Sequence, residues 1–361
     1  MVESYRIFHV TKPLKHRMVN SLYTAECVYN VILELRSESF KGYGYVFSYK
    51  REHQQALSLM IEDYLSMILG EEVSNPAEVH DRLAKTLANI GDTGLAARAL
   101  SVVDSAVWDL SARKKGIPLY KMLGGERNAV QLYVGGGWLD LSEKALVEEA
   151  LHCVERGYQS YKFKITSGDN RYHEKRVAAV RHAVGDQIEL MVDANQGFAF
   201  DEARDMSQRL ADYGISWFEE PFLAYNLEDY QALHAVSPVR IAAGESLYLK
   251  REATPFLQTH AVDVYMPDLA RTAGPTEFLR ISSLAEENEI AISPHWFTEI
   301  SAHLVAQCKN PCVTEYVEDL WDEFFCCKPN ICNGTMILSD DPGTGLLLDE
   351  DAVERYKTED V

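Results

Sequence analysis

SYKFKI (160–165), IELMVDAN (188–195) and SWFEEP (216–221) follow one another through the middle of the chain, and their reading decides the fold. Each is a short apolar run of strand length, and a helical stretch separates it from the next. The rhythm extends in both directions. VQLYVGGG (130–137) comes before; VRIAAGES (239–246), VDVYMPD (262–268), IAISPHW (290–296) and CVTEYVE (312–318) come after. Strand–helix alternation of this kind predicts a (β/α)8-type (TIM) barrel, an α/β fold, over residues 126–320.

The residues before 126 are organised differently. CVYNVILELRS (27–37) and YGYVFSY (43–49) alternate like strands. HQQALSLMIEDYLSMILG (53–70) carries a helical stripe of Leu57, Met60, Ile61, Tyr64, Leu65 and Ile68. GLAARALSVVDSAVWDLSARKKG (94–116) reads as a second long helix ending at Gly116, with Pro118 beyond. Residues 1–125 are therefore expected to form an α+β capping domain. The turn-rich residues 321–361 do not continue the repeat and are expected to fold back on that domain.

The chain has 361 residues, 47% hydrophobic and 25% charged, with a formal net charge of -20 and a pI near 5.0. That balance argues against nucleic acid and against an anionic membrane surface as partners. No apolar run approaches a membrane span, and the N-terminus lacks the apolar core of a signal peptide. The seven cysteines form no framework: Cys326 and Cys327 are adjacent, and Cys308 and Cys312 lack zinc-finger spacing. Reduced thiols in a cytoplasmic homo-oligomer are expected, with a structural zinc site as the alternative.

The strand ends carry the chemistry. Lys162 and Lys164, two apart, share one face of a strand. Alone, such a pair is a solvated strand face. Asp193, Glu219, Glu245, Asp268, His295 and Glu315 then follow at intervals close to one strand–helix unit. In a barrel such strand ends converge on one face. Asp193, Glu219 and Glu245 stand on three successive strands, and three hard oxygen donors from rigid neighbours suit Mg2+. Taken singly, Asp193 reads as a helix cap and the glutamates as partners of arginines. Buried together, they would repel without a cation. Glu220 is the weaker candidate, because adjacent strand residues point oppositely. His295 taken alone reads as an ordinary polar residue near a strand end. A carboxylate on the adjacent strand, Asp268, would fix its tautomer and leave the other ring nitrogen as a base.

These residues carry a resemblance. KFK, VDAN, FEEP, GES, MPD, SPH and TEY, in that order, with SVVDSAVWDLSARKKGIPLYKMLGG (101–125) before them, resemble the mandelate racemase group of the enolase superfamily across essentially the whole chain. The resemblance implies one Mg2+ ion held by Asp193, Glu219 and Glu245, and a small-molecule carboxylate substrate. The proton α to that carboxylate would be removed to give an ene-diolate. Lys164 would be the base on one face and His295, with Asp268, the base or acid on the other. Lys162 would sit near the substrate carboxylate and lower the pKa of Lys164. Glu315 would contact the carboxylate oxygen opposite the metal, and Asn195, sharing the strand face of Asp193, would reach a substrate hydroxyl.

Specificity in that group comes from loops of the first domain. Here KPLKHRMVNSLYTAE (12–26) supplies Lys12, Lys15, His16 and Arg17, and FSYKREHQ (47–54) supplies Lys50, Arg51 and His53. Each of these charges, taken singly, reads equally well as solvated. Together, basic loops on an acidic protein favour a hydrophilic anion, and Lys15, Arg17 and Lys50 are the expected substrate contacts. The expected reaction is dehydration of an aldonate or aldarate to a 2-keto-3-deoxy product. The alternatives are a racemase of 2-hydroxy acids and, more remotely, a non-catalytic barrel, against which the intact residue set argues. A muconate-type cycloisomerase is disfavoured because Asp268 stands where that group has a lysine.

Overall fold

The structure, a computed structural model, describes residues 1–318, 320–326 and 328–358. Strands β1 (Ser4–Val19), β2 (Thr24–Ser37) and β3 (Phe40–Ser48) form an antiparallel sheet in that order. Helices α1 (Arg51–Ser66), α2 (Pro76–Lys85), α3 (Leu95–Lys115) and α4 (Leu119–Met122) follow. The apolar stripe of α1 buries Leu57, Ile61, Tyr64 and Leu65. Helix α3 ends at Gly116 in the left-handed conformation, where glycine carries no Cβ penalty. It lies so close to β3 that a Cβ on Gly44 would meet the Val102 carbonyl oxygen at 2.1 Å. Its other face is fixed to the barrel: Ser101 donates to the Leu269 carbonyl (2.9 Å) and Trp108 to Thr276 Oγ1 (2.9 Å).

One expectation fails here. The stretch 12–26, read as a loop, is mostly sheet. Lys12 pairs with Val28, Pro13 with Cys27 and Met18 with Ala25, so residues 14–17 bulge opposite Glu26. Only residues 20–23 form the tip. The second expected loop is shorter still, because β3 runs to Ser48 and α1 starts at Arg51. Charged residues disguised the hairpin, since a strand exposed along one edge carries them without breaking its ladder.

The barrel strands are β4 (Ala129–Gly135), β5 (Ser160–Lys164), β6 (Glu189–Asp193), β7 (Ile215–Glu219), β8 (Ile241–Ala243), β9 (Val264–Tyr265), β10 (Ala291–Ile292) and β11 (Thr314–Tyr316). Each pairs in parallel with its predecessor from β5 to β10, and β11 closes the ring on β4. Helices α5 (Glu143–Glu155), α6 (Asn170–Val184), α7 (Phe200–Ala211), α8 (Leu227–His234), α9 (Lys250–Gln258), α10 (Pro275–Glu287) and α11 (Thr298–Val305) connect them. Tyr133, Met191, Trp217, Ala242, Val264 and Met266 fill the interior as a separate apolar cluster, the floor on which the polar residues stand.

After β11 the chain leaves the repeat. Strands β12 (Asn330–Cys332) and β13 (Thr335–Ile337) form a hairpin that pairs with β4, and α12 (Glu350–Arg355) follows. The segment also reaches the first sheet: Trp321 donates to Asn30 Oδ1 (2.9 Å), and Thr358 N donates to the His9 carbonyl (2.9 Å). The cysteines Cys27, Cys153, Cys308, Cys312, Cys326 and Cys332 are free thiols, and Cys327 lies outside the described residues. No cysteine-containing metal cluster occurs among the described residues.

Candidate active site

Register brings the strand-end residues to one level. Lys164 pairs laterally with Asp193, and Asp193 with Glu219, so these three side chains stand side by side on the inner wall. Glu245 lies just beyond β8, and a bridge pairs Asp268 with His295. Tyr161 and Phe163, alternating with the lysines, point outward and are buried against the helices.

Carboxylate oxygens of Asp193, Glu219 and Glu245 all lie within 4.8 Å of one another, and all three residues are buried. Burial, reinforced by Asp193 and Glu245, drives the Glu219 carboxyl well above its ordinary range against the pull of Lys162. Glu245 Oε2 is buried without a hydrogen-bond partner. A crowded, desolvated set of hard oxygens of this kind fits a divalent cation of the Mg2+ type, and it contains no sulfur or imidazole to favour zinc. Glu220 is placed apart. Its φ is +38°, it accepts from Gln196 (3.1 Å) and Ser246 (3.2 Å), and burial followed by Glu245 and Asp193 pushes its carboxyl up to about 8.

The lysines meet the protein's own carboxylates. Lys162 Nζ lies 2.6 Å from Glu219, 3.0 Å from Glu315 and 3.8 Å from Asp193, over the Tyr133 ring. Lys164 Nζ lies 2.5 Å from Asp193 and over the Trp138 ring. Burial and Lys162 both work against the Lys164 ammonium, as expected of a base. Asp193, with Glu245 and Glu219, outweighs them, so its pKa stands above the ordinary lysine value and not below it. Glu315 Oε1 takes Lys162; its Oε2 is buried without a hydrogen bond. Gly135 makes room for that carboxylate, since a Cβ there would meet Glu315 Oε1 at 2.4 Å.

His295 stands at the other end of the triad. Its Nδ1 lies 2.7 Å from Asp268 Oδ2, and its Nε2 lies 3.4 Å from Glu245 Oε2. Burial works against the Asp268 carboxylate, but Arg271 and the His295 hydrogen bond hold its pKa down at about 2. A permanently ionised partner at Nδ1 keeps a proton there and leaves Nε2 as the acceptor.

Asn195 lies past the end of β6 with φ +42°, so strand alternation does not orient it. Its backbone N–H caps Asp193 Oδ1 (2.8 Å), and its own Oδ1 is buried without a partner. The three basic residues expected to meet the substrate are placed differently from one another. Arg17 is exposed and paired with Asp140 (3.0 Å), Lys50 is exposed, and Lys15 lines a cavity with His16, Gly135, Trp138 and Glu318.

Sequence reading missed several neighbours. Trp217 Nε1 donates to Glu219 Oε2 (2.9 Å); its position two before Glu219 is the same signal that linked the lysines. Arg271 donates to the Glu245 carbonyl (2.7 Å) and lies 3.8 Å from Asp268. Tyr23, at the hairpin tip, bonds Tyr49 (2.7 Å), and Ser21 donates to the Ala194 carbonyl (2.7 Å). No local pattern marks these contacts from the cap.

A capped barrel presenting a buried carboxylate triad between two opposed basic side chains defines a divalent-metal enzyme centre. Residues 3–124 match the family described as mandelate racemase / muconate lactonizing enzyme, N-terminal domain, and residues 145–352 match the enolase C-terminal domain-like family. The chain belongs to the mandelate racemase / muconate lactonizing enzyme family of the enolase superfamily. It is 32% identical over 324 residues to the L-talarate/galactarate dehydratase of Salmonella typhimurium, covering 89% of this chain and 81% of that one. It is 31% identical over 333 residues to the arabinonate dehydratase of Saccharolobus solfataricus, covering 89% and 88%. The structure matches that of a racemase from Streptomyces coelicolor A3(2) with bound magnesium at a TM-score of 0.95, 25% identity, and coverage of 99% and 100%. No helix among the described residues is long and apolar enough to cross a membrane.

Proposed function

We propose that the protein is a Mg2+-dependent acid-sugar dehydratase. The carrying observation is the opposition of two basic groups across the triad, Lys164 at the Asp193 end and His295 at the Glu245 end. When bound by Asp193, Glu219 and Glu245, Mg2+ supplies a Lewis acid for the charge that develops on the substrate carboxylate. One base takes the proton from carbon 2. The C–O bond at carbon 3 breaks, and the leaving hydroxide departs as water with a proton from the opposite group. The resulting enol becomes the 2-keto-3-deoxy acid. Lys162 and Glu315 bracket the carboxylate end of the substrate, and Asp268 orients His295 throughout. Dehydratase relatives that act on talarate, galactarate and arabinonate support this reading.

A second reading, racemisation of a 2-hydroxy acid, uses the same two bases and is favoured by the similarity to a racemase. Incubating the protein with Mg2+ and a panel of aldonates and aldarates, and assaying 2-keto product, tests the first reading against the second. Inversion at carbon 2 without water loss supports the racemase. The same proposal includes a cytoplasmic homo-oligomer and the division into a cap (1–125), barrel (126–320) and returning segment (321–361). Light scattering tests the assembly, and limited proteolysis tests the boundaries.

A further inference from the structure

Two guanidinium groups, Arg98 and Arg271, lie on the His295 side of the site, and the carboxylates there serve only one of them. Arg98, in the first turn of α3, has no carboxylate partner among the described residues. It donates to the Phe47 carbonyl, lies over the Phe47 ring at 5.6 Å, and its Nε is buried without an acceptor. Burial followed by the nearby Arg271 lowers its pKa. Arg271, by contrast, has carboxylates of its own: Asp268 lies 3.8 Å and Glu245 3.9 Å from its guanidinium. Asp268 also holds His295 at 2.7 Å, and Glu245 is also a member of the carboxylate triad, so neither is left over for Arg98. A guanidinium whose N–H is buried without an acceptor lacks a partner that a carboxylate supplies.

An aromatic wall connects these arginines to the reacting centre. Trp296 stacks on His295 with centroids 5.1 Å apart, Phe47 stacks on Trp296 at 4.9 Å, and Tyr49 meets the edge of Phe47 at 5.4 Å. The Tyr49 hydroxyl bonds that of Tyr23 at 2.7 Å. The Tyr23 phenol is close enough to feel the charges of Lys164, Glu245 and Arg271, and Tyr49 those of Arg271 and Arg98. The wall therefore runs from His295 to the unpartnered guanidinium.

We propose that Arg98 and Arg271, with the Tyr23 and Tyr49 hydroxyls, form a subsite for a second carboxylate, so that the preferred substrate is an aldarate and not an aldonate. The inference rests on the acid-sugar reading above. It replaces Lys15, Arg17 and Lys50 as the source of positive charge. A planar fork suits a carboxylate, and a buried charge-assisted contact outweighs a surface pair.

The test is calorimetric binding to the Mg2+-loaded protein of 2-hydroxyadipate against its isosteric 6-amide. Neither has a hydroxyl on carbon 3, so neither can lose water. The diacid should bind about ten- to a hundred-fold more tightly, and Arg98→Gln should bring the ratio close to one. A ratio near one in the wild type, or one unchanged in Arg98→Gln, overturns the subsite. If Arg98→Gln does not fold, by circular dichroism, the wild-type ratio decides alone. Dehydration of aldonates together with a ratio near one sinks the subsite and leaves the dehydratase standing. No keto product from any acid sugar sinks the dehydratase, while the binding ratio still judges the subsite.

Discussion

Replacing His295 by Asn separates the two bases. The imidazole makes two polar contacts, Nδ1 to Asp268 at 2.7 Å and Nε2 to Glu245 at 3.4 Å. Asn fills similar space without a titratable nitrogen. Asp268 is not orphaned, because it keeps the Arg271 backbone N–H at 2.8 Å and the Arg271 guanidinium at 3.8 Å. The fold should therefore survive, and the loss should fall on the proton transfer. A positioned acid or base contributes about 10²–10⁴-fold, or roughly 2.7–5.4 kcal/mol at 1.36 kcal/mol per decade. Dehydration should slow by at least about a hundred-fold. Lys164 contacts Asp193 and not Glu245, so it should go on exchanging the carbon-2 proton of the one configuration that faces it. Lys164→Ala should show the reverse. Proton NMR in D2O follows the carbon-2 signal, and a keto assay follows product. Wild-type turnover in His295→Asn refutes the opposed-base reasoning, and so does loss of exchange from both configurations in a variant that still binds Mg2+.

Trp217→Phe should lower Mg2+ affinity by about 10–100-fold in titration calorimetry, because it removes the indole N–H that orients Glu219. Wild-type affinity would show that the contact is dispensable. His173 and His303 are buried, and burial lowers each to about 4 from 6.5. The unfolded chain takes up protons first, so stability should fall as pH drops from 6.5 through 4 and level off below. The loss is roughly 3 kcal/mol per histidine; His303→Gln should shrink it in urea melts at both pH values, and an unchanged loss counts against the assignment. Gly44→Ala should cost about 1–3 kcal/mol in the same melts by forcing β3 off α3, whereas an unshifted midpoint would mean the contact relaxes freely.

The barrel was legible because its signal is periodic. Each strand is a short apolar run, and each ends in an ionisable residue one unit after the last, so the repeat that gave the fold also aligned the site. Trp217 was within reach of the same reasoning, since it shares the face of Glu219. The capping contacts were not legible. Residues 12–19 carry enough charge to read as loop, yet they pair with β2 through a bulge at residues 14–17. Arg98 lies inside a helix whose pattern announces only packing. The link from its partner Phe47 to Trp296 depends on how the cap seats on the barrel, and no local pattern encodes that.

The lysine pair shows what register adds. From sequence, two ammonium groups on one strand face require an anion, and a bound substrate satisfies the requirement. The structure supplies a nearer answer: Lys162 lies against Glu219 and Glu315, and Lys164 against Asp193. Asp193, Glu219, Glu245 and Glu315 set against the two lysines leave a formal charge of -2, all of it buried. Asp268 stays outside this count, because the Arg271 guanidinium faces it at 3.8 Å. Neutralising by protonation instead is the path that Glu219 and Glu220 are pushed along by burial. A divalent cation brings the cluster to zero without it, and a monovalent one cannot. The charge count and the oxygen donors thus select the same kind of ion independently, and they explain why the lysines can remain charged in so dry a place: each carboxylate that holds the metal is also a partner that a buried ammonium needs.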